Sequence, residues 1–262
     1  MLNALFALEK KLPKPEEIKK IVGDSTKPLE VDRNLKAFEN IARRYMEQFP
    51  SGEDATAIKY KLATLYYYYN QFDKALVLFQ DLIDKNSETK FAKYSANLLL
   101  DIYNLKQDYV GLEEAGKKIL DVPAIAKSEV GSQVKGIIQR ASFKRAQSFE
   151  KQKKYFKSAK TYQKFAQQNP QSNLSTSASY NAAVNFERAG FLSGAISSYA
   201  LVARSSDPKS KGLKKKASKF LAILYEKTGQ YRKAASAFER YAKQNSEDPQ
   251  AVNFYYNAAV IQ

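Results

Sequence analysis

The chain of 262 residues has no cysteine, no histidine and no tryptophan. Without cysteine there are no disulfides and no thiolate metal sites, which fits either redox compartment. The missing histidine excludes more, because it removes the commonest general base and the commonest metal ligand. Cys–His dyads, Ser–His–Asp triads, zinc-finger spacings and HExxH helices are all ruled out. The ten glycines are scattered singly at helix ends and turns, so no glycine-rich phosphate loop exists, and no paired-carboxylate constellation stands in for one. The expectation is a protein that is not an enzyme, with no cofactor and no metal. Long apolar runs are lacking too. None approaches the roughly 18 residues that span a bilayer. The opening MLNALFAL is apolar but has neither a basic leader nor a small-residue cleavage site, so it is not expected to be a signal peptide.

What is abundant is positive charge and apolar surface. Lys and Arg number 43 against 27 Asp and Glu, a formal charge of +16, and 44% of residues are hydrophobic. Such a balance favours acidic partners: protein, nucleic acid or an anionic lipid surface. Two stretches concentrate it. Residues 204–219 read RSSDPKSKGLKKKASK and include Lys214 and Lys215, and residues 127–160 include Arg140, Lys144, Lys151, Lys153 and Lys154. A basic stripe contacting phosphates is one reading. A solvated face with lysines near helix ends is the other, and it is favoured against nucleic acid because no base-reading or aromatic platform accompanies the charge.

The pattern that organises the chain begins at residue 59. In KYKLATLYYYYNQFDKALVLF, Leu62, Ala63 and Tyr66 share a helical face, Asn70-Gln71 breaks it, and Phe72, Ala75, Leu76 and Phe79 form the inner face of a second helix. Small residues at Ala63 and Ala75 let two antiparallel helices approach closely. Copies follow at 95–119, 142–165, 180–202 and 219–241, and YYNAAVIQ at 255–262 opens another. Taking Ala75, Leu112, Ser158, Ala195 and Ala234 as equivalent gives spacings of 37, 46, 37 and 39. A two-helix unit of this kind cannot bury both faces alone and needs stacked neighbours.

These residues resemble the tetratricopeptide repeat (TPR): a small pair and an aromatic on the first helix, Gly and an aromatic at the turn, then Ala and a later aromatic on the second helix. The segments 59–82, 180–202 and 219–241 match closely, whereas 95–119 and 142–165 depart at Leu112, Gly116 and Arg145. The family's first-helix Trp is absent. The spacings exceed the usual period of roughly 34, so longer helices or turns are expected. Helix stops at Phe49-Pro50-Ser51, Asn86-Ser87, Asn169-Pro170 and Asn245-Ser246 are similar in style to TPR proteins of the bacterial cell envelope. That style implies the periplasm or envelope over the cytoplasm, and a chain ending within a repeat implies trimming from a longer one.

The resemblance implies an all-α right-handed solenoid of about five to six hairpins over residues 29–262, preceded at 1–28 by a cap or the tail of an earlier helix. A long helix is expected from about Ser128 to Gln152 after the break at Pro123, kinking the stack or adding surface. First helices would line a groove through Tyr60, Thr64, Tyr67 and Tyr68, then Asn97, Asp101 and Asn104. Gln147, Glu150, Tyr180, Asn181, Glu187, Lys216 and Lys219 would continue it, with Glu226 and Tyr256 beyond. Tyr offers apolar area with a polar tip, and Asn both donates and accepts toward a peptide backbone. Asn181 with Lys216 or Lys219 approximates a carboxylate clamp incompletely. The expected function is a non-catalytic scaffold or adaptor binding a peptide, helix or domain of another protein. The alternatives are RNA or an anionic membrane on the basic stretches, and self-association through residues 255–261.

Overall fold

The computed structural model describes residues 1–261, which contain helices and no strand. The order is α1 (Leu2–Glu9), α2 (Pro15–Val22), α3 (Arg33–Gln48), α4 (Ala55–Tyr68), α5 (Phe72–Lys85), α6 (Lys90–Leu105), α7 (Tyr109–Leu120) and a short α8 (Pro123–Ala126). Then come α9 (Glu129–Lys151), α10 (Tyr155–Gln168), α11 (Ser175–Arg188) and α12 (Leu192–Ala203). A single 3₁₀ turn (Pro208–Ser210), α13 (Lys211–Lys227), α14 (Tyr231–Gln244) and α15 (Ala251–Ile261) complete the order. Contacts divide the chain into two compact units, Met1–Ala141 and Ser142–Gln262, with the division inside α9. Each unit is a short solenoid of antiparallel hairpins: α4–α5 and α6–α7 in the first, α11–α12 and α13–α14 in the second. The hairpin α9–α10 contributes its α10 side to the second unit.

Every first helix of a hairpin ends in the same way. Asn70, Gln107, Lys153, Gly190 and Gly229 all have φ between 54° and 75°. They are spaced 37, 46, 37 and 39 residues apart, the same intervals read from the sequence. The residue after each donates its backbone N–H to the carbonyl of Tyr66, Tyr103, Phe149, Phe186 or Tyr225, at 2.8–2.9 Å. This is the Schellman closure, which ties off the orphan carbonyls of a helix end through one left-handed residue. The first-helix aromatic of the repeat is thus also the carbonyl that closes the turn.

The sequence pattern explains the packing. Leu62, Ala63 and Tyr66 on α4 and Ala75 and Phe79 on α5 are fully buried in the first unit. Ala182, Ala183 and Phe186 on α11 with Ala195 and Tyr199 on α12 repeat the arrangement in the second. Alanine at the crossing lets the backbones close in, and the aromatics fill the flanks.

Two departures from the repeat have structural causes. The long spacing of 46 follows from α9, which at 23 residues is far longer than the 14-residue α4 and α11. Its first half neither hangs free nor merely adds surface: Val134 and Ala141 are buried in the first unit's core, and Ile137 and Ile138 pack against it. Gly116 on α7 is where this packing is tightest, since a Cβ there would lie 2.7 Å from Ile138 Cγ1. The two spacings of 37 are built differently: the first contains the 16-residue α6, the other the 14-residue α11 after a longer connection.

At the N-terminus, α1 packs on α3, and α2 packs on α4 with Ile18 buried. Residues 29–31 lie outside any helix, and α3 starts at Arg33 because Asp32, in extended backbone, caps it by accepting the Leu35 N–H at 2.8 Å.

Candidate functional site

In the first unit the partly exposed stripes of the two first helices lie side by side. On α4 the stripe runs Tyr60, Thr64, Tyr67 and Tyr68; on α6 it runs Tyr94, Asn97, Asp101 and Asn104, each at helical spacing. Two contacts fix their register. The Tyr60 and Tyr94 rings are 6.1 Å apart, and the Tyr67 hydroxyl donates to Asp101 Oδ2 at 2.5 Å. Both pairs are 34 residues apart, so the first helices keep the short period even though the hairpin turns are 37 apart.

Individual side chains in the stripe have different duties. Tyr60 also meets Phe79 and Phe91, so its ring serves packing as well. Thr64 turns its hydroxyl back to the Tyr60 carbonyl at 2.8 Å. Tyr67 is held protonated by burial and then by the Asp101 carboxylate, which push its pKa up. Tyr68 stacks edge-on against Tyr67 and lies under the ammonium of Lys19, 5.8 Å from the ring centroid. Asn97, Asp101 and Asn104 are half-buried. Tyr94, 51% exposed, belongs to the same strip and was missed by the sequence reading. Its position 34 residues after Tyr60 was the signal.

A second feature escaped the sequence reading. The extended segment after α2 crosses the α4–α5 turn, where buried Asn70 donates Nδ2 to the carbonyls of Ser25 and Lys27 at 2.8 and 3.0 Å. Gln71 Nε2 donates to the Leu29 carbonyl at 2.8 Å, and the Leu29 N–H donates to the Tyr69 carbonyl at 2.9 Å. The Tyr69 hydroxyl donates to Asp32 Oδ2 at 2.7 Å. Between this segment, Lys19 and the Tyr67–Tyr68 pair a cleft of about 300 Å³ remains.

In the second unit the predicted residues are more dispersed. Tyr180 packs on Tyr199 at 5.7 Å, the same first-to-second-helix contact that Tyr60 makes with Phe79 in the first unit. Glu187 accepts from the Tyr199 hydroxyl at 3.3 Å, and Glu150 accepts from Arg188 at 2.6 Å. Gln147 is exposed, while Asn181 is half-buried and its carbonyl accepts from Asn185 Nδ2. The two lysines grouped with Asn181 have different surroundings. Lys219 donates to Gln250 Oε1, and Lys216 is exposed. Glu226 is half-buried, whereas Tyr256 on α15 is 70% exposed.

Of the basic residues, Arg140 lies in the first unit and the others in the second. In the second, Lys151, Lys153 and Lys154 stand at the end where a first helix finishes, Lys153 being the left-handed turn residue itself. Lys214 and Lys215 stand where a first helix begins, which antiparallel hairpins place at the opposite end. A 14-residue helix separates such ends by about 21 Å. Lys214 donates to the Ser205 carbonyl at 3.2 Å, and Lys215 pairs with Asp248 at 2.9 Å. Lys144, exposed on α9, also makes an interaction within the protein. No group of three or more Asp and Glu is arranged to hold a metal among the described residues. No helix there is long and apolar enough to cross a membrane.

Comparison with known proteins agrees with the hairpins. Family models described as tetratricopeptide repeat match residues 57–89 and 140–172, and a further such model matches 221–262. No curated protein gives a significant match. Among solved structures the chain is similar to the nearly identical TPR-like repeats assigned to a kinesin light chain of Podosopora anserina. The identity is 13% over 76% of this chain and 99% of that one, with a TM-score of 0.34. It is also similar to the TPR2AB domain of yeast Sti1 in a complex named for pHSP90, at 13% identity over 86% and 93% of the two chains and a TM-score of 0.35. The family models include the 140–172 hairpin, whose Arg145 had marked it as divergent, and pass over α11–α12, which has the same turn and the same alanine crossing. The family pattern is thus matched over α4–α5, over α9–α10 and from within α13 onward.

Proposed function

We propose that this protein is a non-catalytic scaffold that holds an extended peptide, a helix or a domain of a partner protein against its first-helix faces or an edge. The observation that carries the reading is the register of α4 and α6. It aligns Tyr60, Tyr94, Tyr67, Asn97 and Asp101 into one strip that hairpin packing does not fully consume. Aromatic rings and side-chain amides on rigid helices lose little conformational freedom when a partner binds them. The formal charge of +16 supports an acidic partner surface. The helix-stop phrases between hairpins support a setting in the bacterial cell envelope.

The test is affinity capture from the source lysate with nuclease present, at moderate and high salt, using the natural chain and a Tyr67→Ala/Tyr94→Ala double variant. One or two proteins retained at high salt and lost with the variant sustain the proposal. A diffuse set that vanishes with nuclease or salt refutes it in favour of phosphate-backbone binding, whose affinity falls steeply as ionic strength rises. A mass that grows with concentration would instead implicate α15, where Val252, Tyr256 and Val260 are exposed.

A further inference from the structure

The second unit carries an aromatic cluster at its hairpin-turn end. Phe156 on α10, Phe186 on α11 and Phe191 immediately before α12 form a triangle of rings with centroids 5.4–5.9 Å apart. Phe186 is the buried floor, while Phe156 and Phe191 are 47% and 41% exposed. Phe191 directly follows the left-handed Gly190. Its ring lies against Gly194, where a Cβ would stand 2.4 Å from Phe191 Cδ1. Packing therefore holds both exposed rings in one surface patch.

The repeat itself does not need these rings. With Ala75, Leu112, Ser158, Ala195 and Ala234 as equivalent, the position of Phe191 is filled in the other hairpins by Gln71, Asp108, Lys154 and Gln230. That of Phe156 is filled by Asp73, Val110, Ser193 and Arg232. All of those hairpins close with the same turn. Single exposed apolar residues are ordinary on a protein surface. Two half-exposed phenylalanines in ring contact at 5.6 Å, at positions that the other hairpins fill mostly with polar side chains, are not.

The surroundings indicate the charge of what covers the rings. Residues 151–160 hold five lysines and no acid. Lys160 stands over the Phe156 and Phe186 rings at 5.9 and 5.8 Å, and Arg188 over the Tyr155 ring at 5.6 Å. The acids of the neighbouring first-helix ends are engaged: Glu150 accepts from Arg188 at 2.6 Å, and Glu187 from the Tyr199 hydroxyl at 3.3 Å. An apolar centre with a basic rim is complementary to an apolar side chain flanked by carboxylates. An anionic membrane fits less well. More than half of each phenylalanine is covered, so neither projects as an anchor that enters the headgroup region by about 5–10 Å must.

We propose that this patch docks an acidic segment of a partner protein, with one apolar side chain seated on Phe156 and Phe191 and carboxylates meeting the lysines. The patch is separate from the strip of Tyr60, Tyr94, Tyr67, Asn97 and Asp101, which lies in the first unit.

The experiment titrates the ¹⁵N-labelled full chain, followed by amide shifts, with a blocked peptide in which one leucine sits between two short runs of aspartate. Control peptides carry alanine for the leucine or asparagine for the aspartates. Saturable shifts are expected at Phe156, Lys157, Phe191 and Leu192, and none at Tyr67 or Asp101. Phe191→Gln and Phe156→Ser introduce residues that other hairpins carry, so the far-UV spectrum should stay unchanged while each lowers affinity roughly tenfold. Lys160→Gln should lower it several-fold, and the difference should shrink as salt rises. The Tyr67→Ala/Tyr94→Ala variant should bind the peptide as the natural chain does, so a failure here and a failure of the first-unit strip are distinguishable. Shifts that do not saturate, full affinity in both phenylalanine variants, or equal binding of the leucine and alanine peptides would overturn the proposal. So would binding to phosphatidylserine vesicles that the phenylalanine variants lose while the peptide leaves the shifts unmoved, which would assign the patch to a membrane surface.

Discussion

Five hairpins closed by one turn geometry, but with four different residues in it, allow the cost of that geometry to be measured within one molecule. Gln107 and Lys153 occupy left-handed backbone at φ 54° and 57°, with side chains that are exposed and make no hydrogen bond. An L-residue there is disfavoured by roughly 1–2 kcal/mol because its Cβ crowds the following carbonyl. Glycine removes that term but gives back about 0.4–1 kcal/mol through the larger entropy of the unfolded chain. Lys153→Gly and Gln107→Gly should therefore each stabilise by roughly 0.5–1 kcal/mol. The reverse change has a clean counterpart: at Gly190, φ 75°, an added Cβ meets nothing within 4 Å. Gly190→Ala should destabilise by about the same amount for conformational reasons alone. Urea unfolding followed by far-UV circular dichroism measures each as a shift in midpoint at constant slope. Each kcal/mol corresponds to about 2–4 °C in Tm for a chain of this size. The reasoning is refuted if Lys153→Gly lowers stability, or if Gly190→Ala leaves it unchanged.

The other predictions test packing, the N-terminal segment and ionisation. Gly116→Ala should lose about 1 kcal/mol, because crowding of Ile138 outweighs alanine's better helix propensity. Gly136→Ala on α9, where only the tip of Arg140 is near, should gain a similar amount in the same urea assay. Asn70→Ala should cost about 2 kcal/mol or more by stranding two backbone carbonyls and leaving alanine in the left-handed region. Hydrogen exchange over residues 23–32 should then quicken before exchange elsewhere. In alkali, Tyr162 ionises only near a pKa of about 12, raised by burial and then by the charge of Glu150, and Tyr66, Tyr67, Tyr69, Tyr199 and Tyr241 are also raised. Groups whose folded pKa is raised give stability that is complete below about pH 10 and is lost as pH climbs toward the folded values. Part of the tyrosinate absorbance at 295 nm should appear only together with loss of helix, and its full development before helix is lost would contradict the burial described.

Much of the fold was legible because it depends on residue size at fixed intervals. Ala63, Ala75, Ala182 and Ala195 mark helix crossings, and the breaks at Asn70, Gly190 and Gly229 mark turns, so the intervals of 37, 46, 37 and 39 were visible in one dimension. Gly116 was visible as an anomaly but not explicable, since its reason is Ile138, 22 residues further on. The candidate strip was only half legible. Helical periodicity indicates which side of α4 carries Tyr60, Thr64 and Tyr67, but not that α6 presents Tyr94 beside them. It also gives no account of how a long side chain spends its polar tip, such as the bond from Lys219 to Gln250.

The segment from Ser25 to Leu29 is gripped through its carbonyls by Asn70 and Gln71, with no side chain of its own in those bonds. Its placement is therefore written into another part of the chain, and residues 24–27, all exposed, can change freely while the path stays fixed. Among related chains, the two amides at the turn should travel together as a pair, and their joint loss should coincide with an N-terminal region of different length or course.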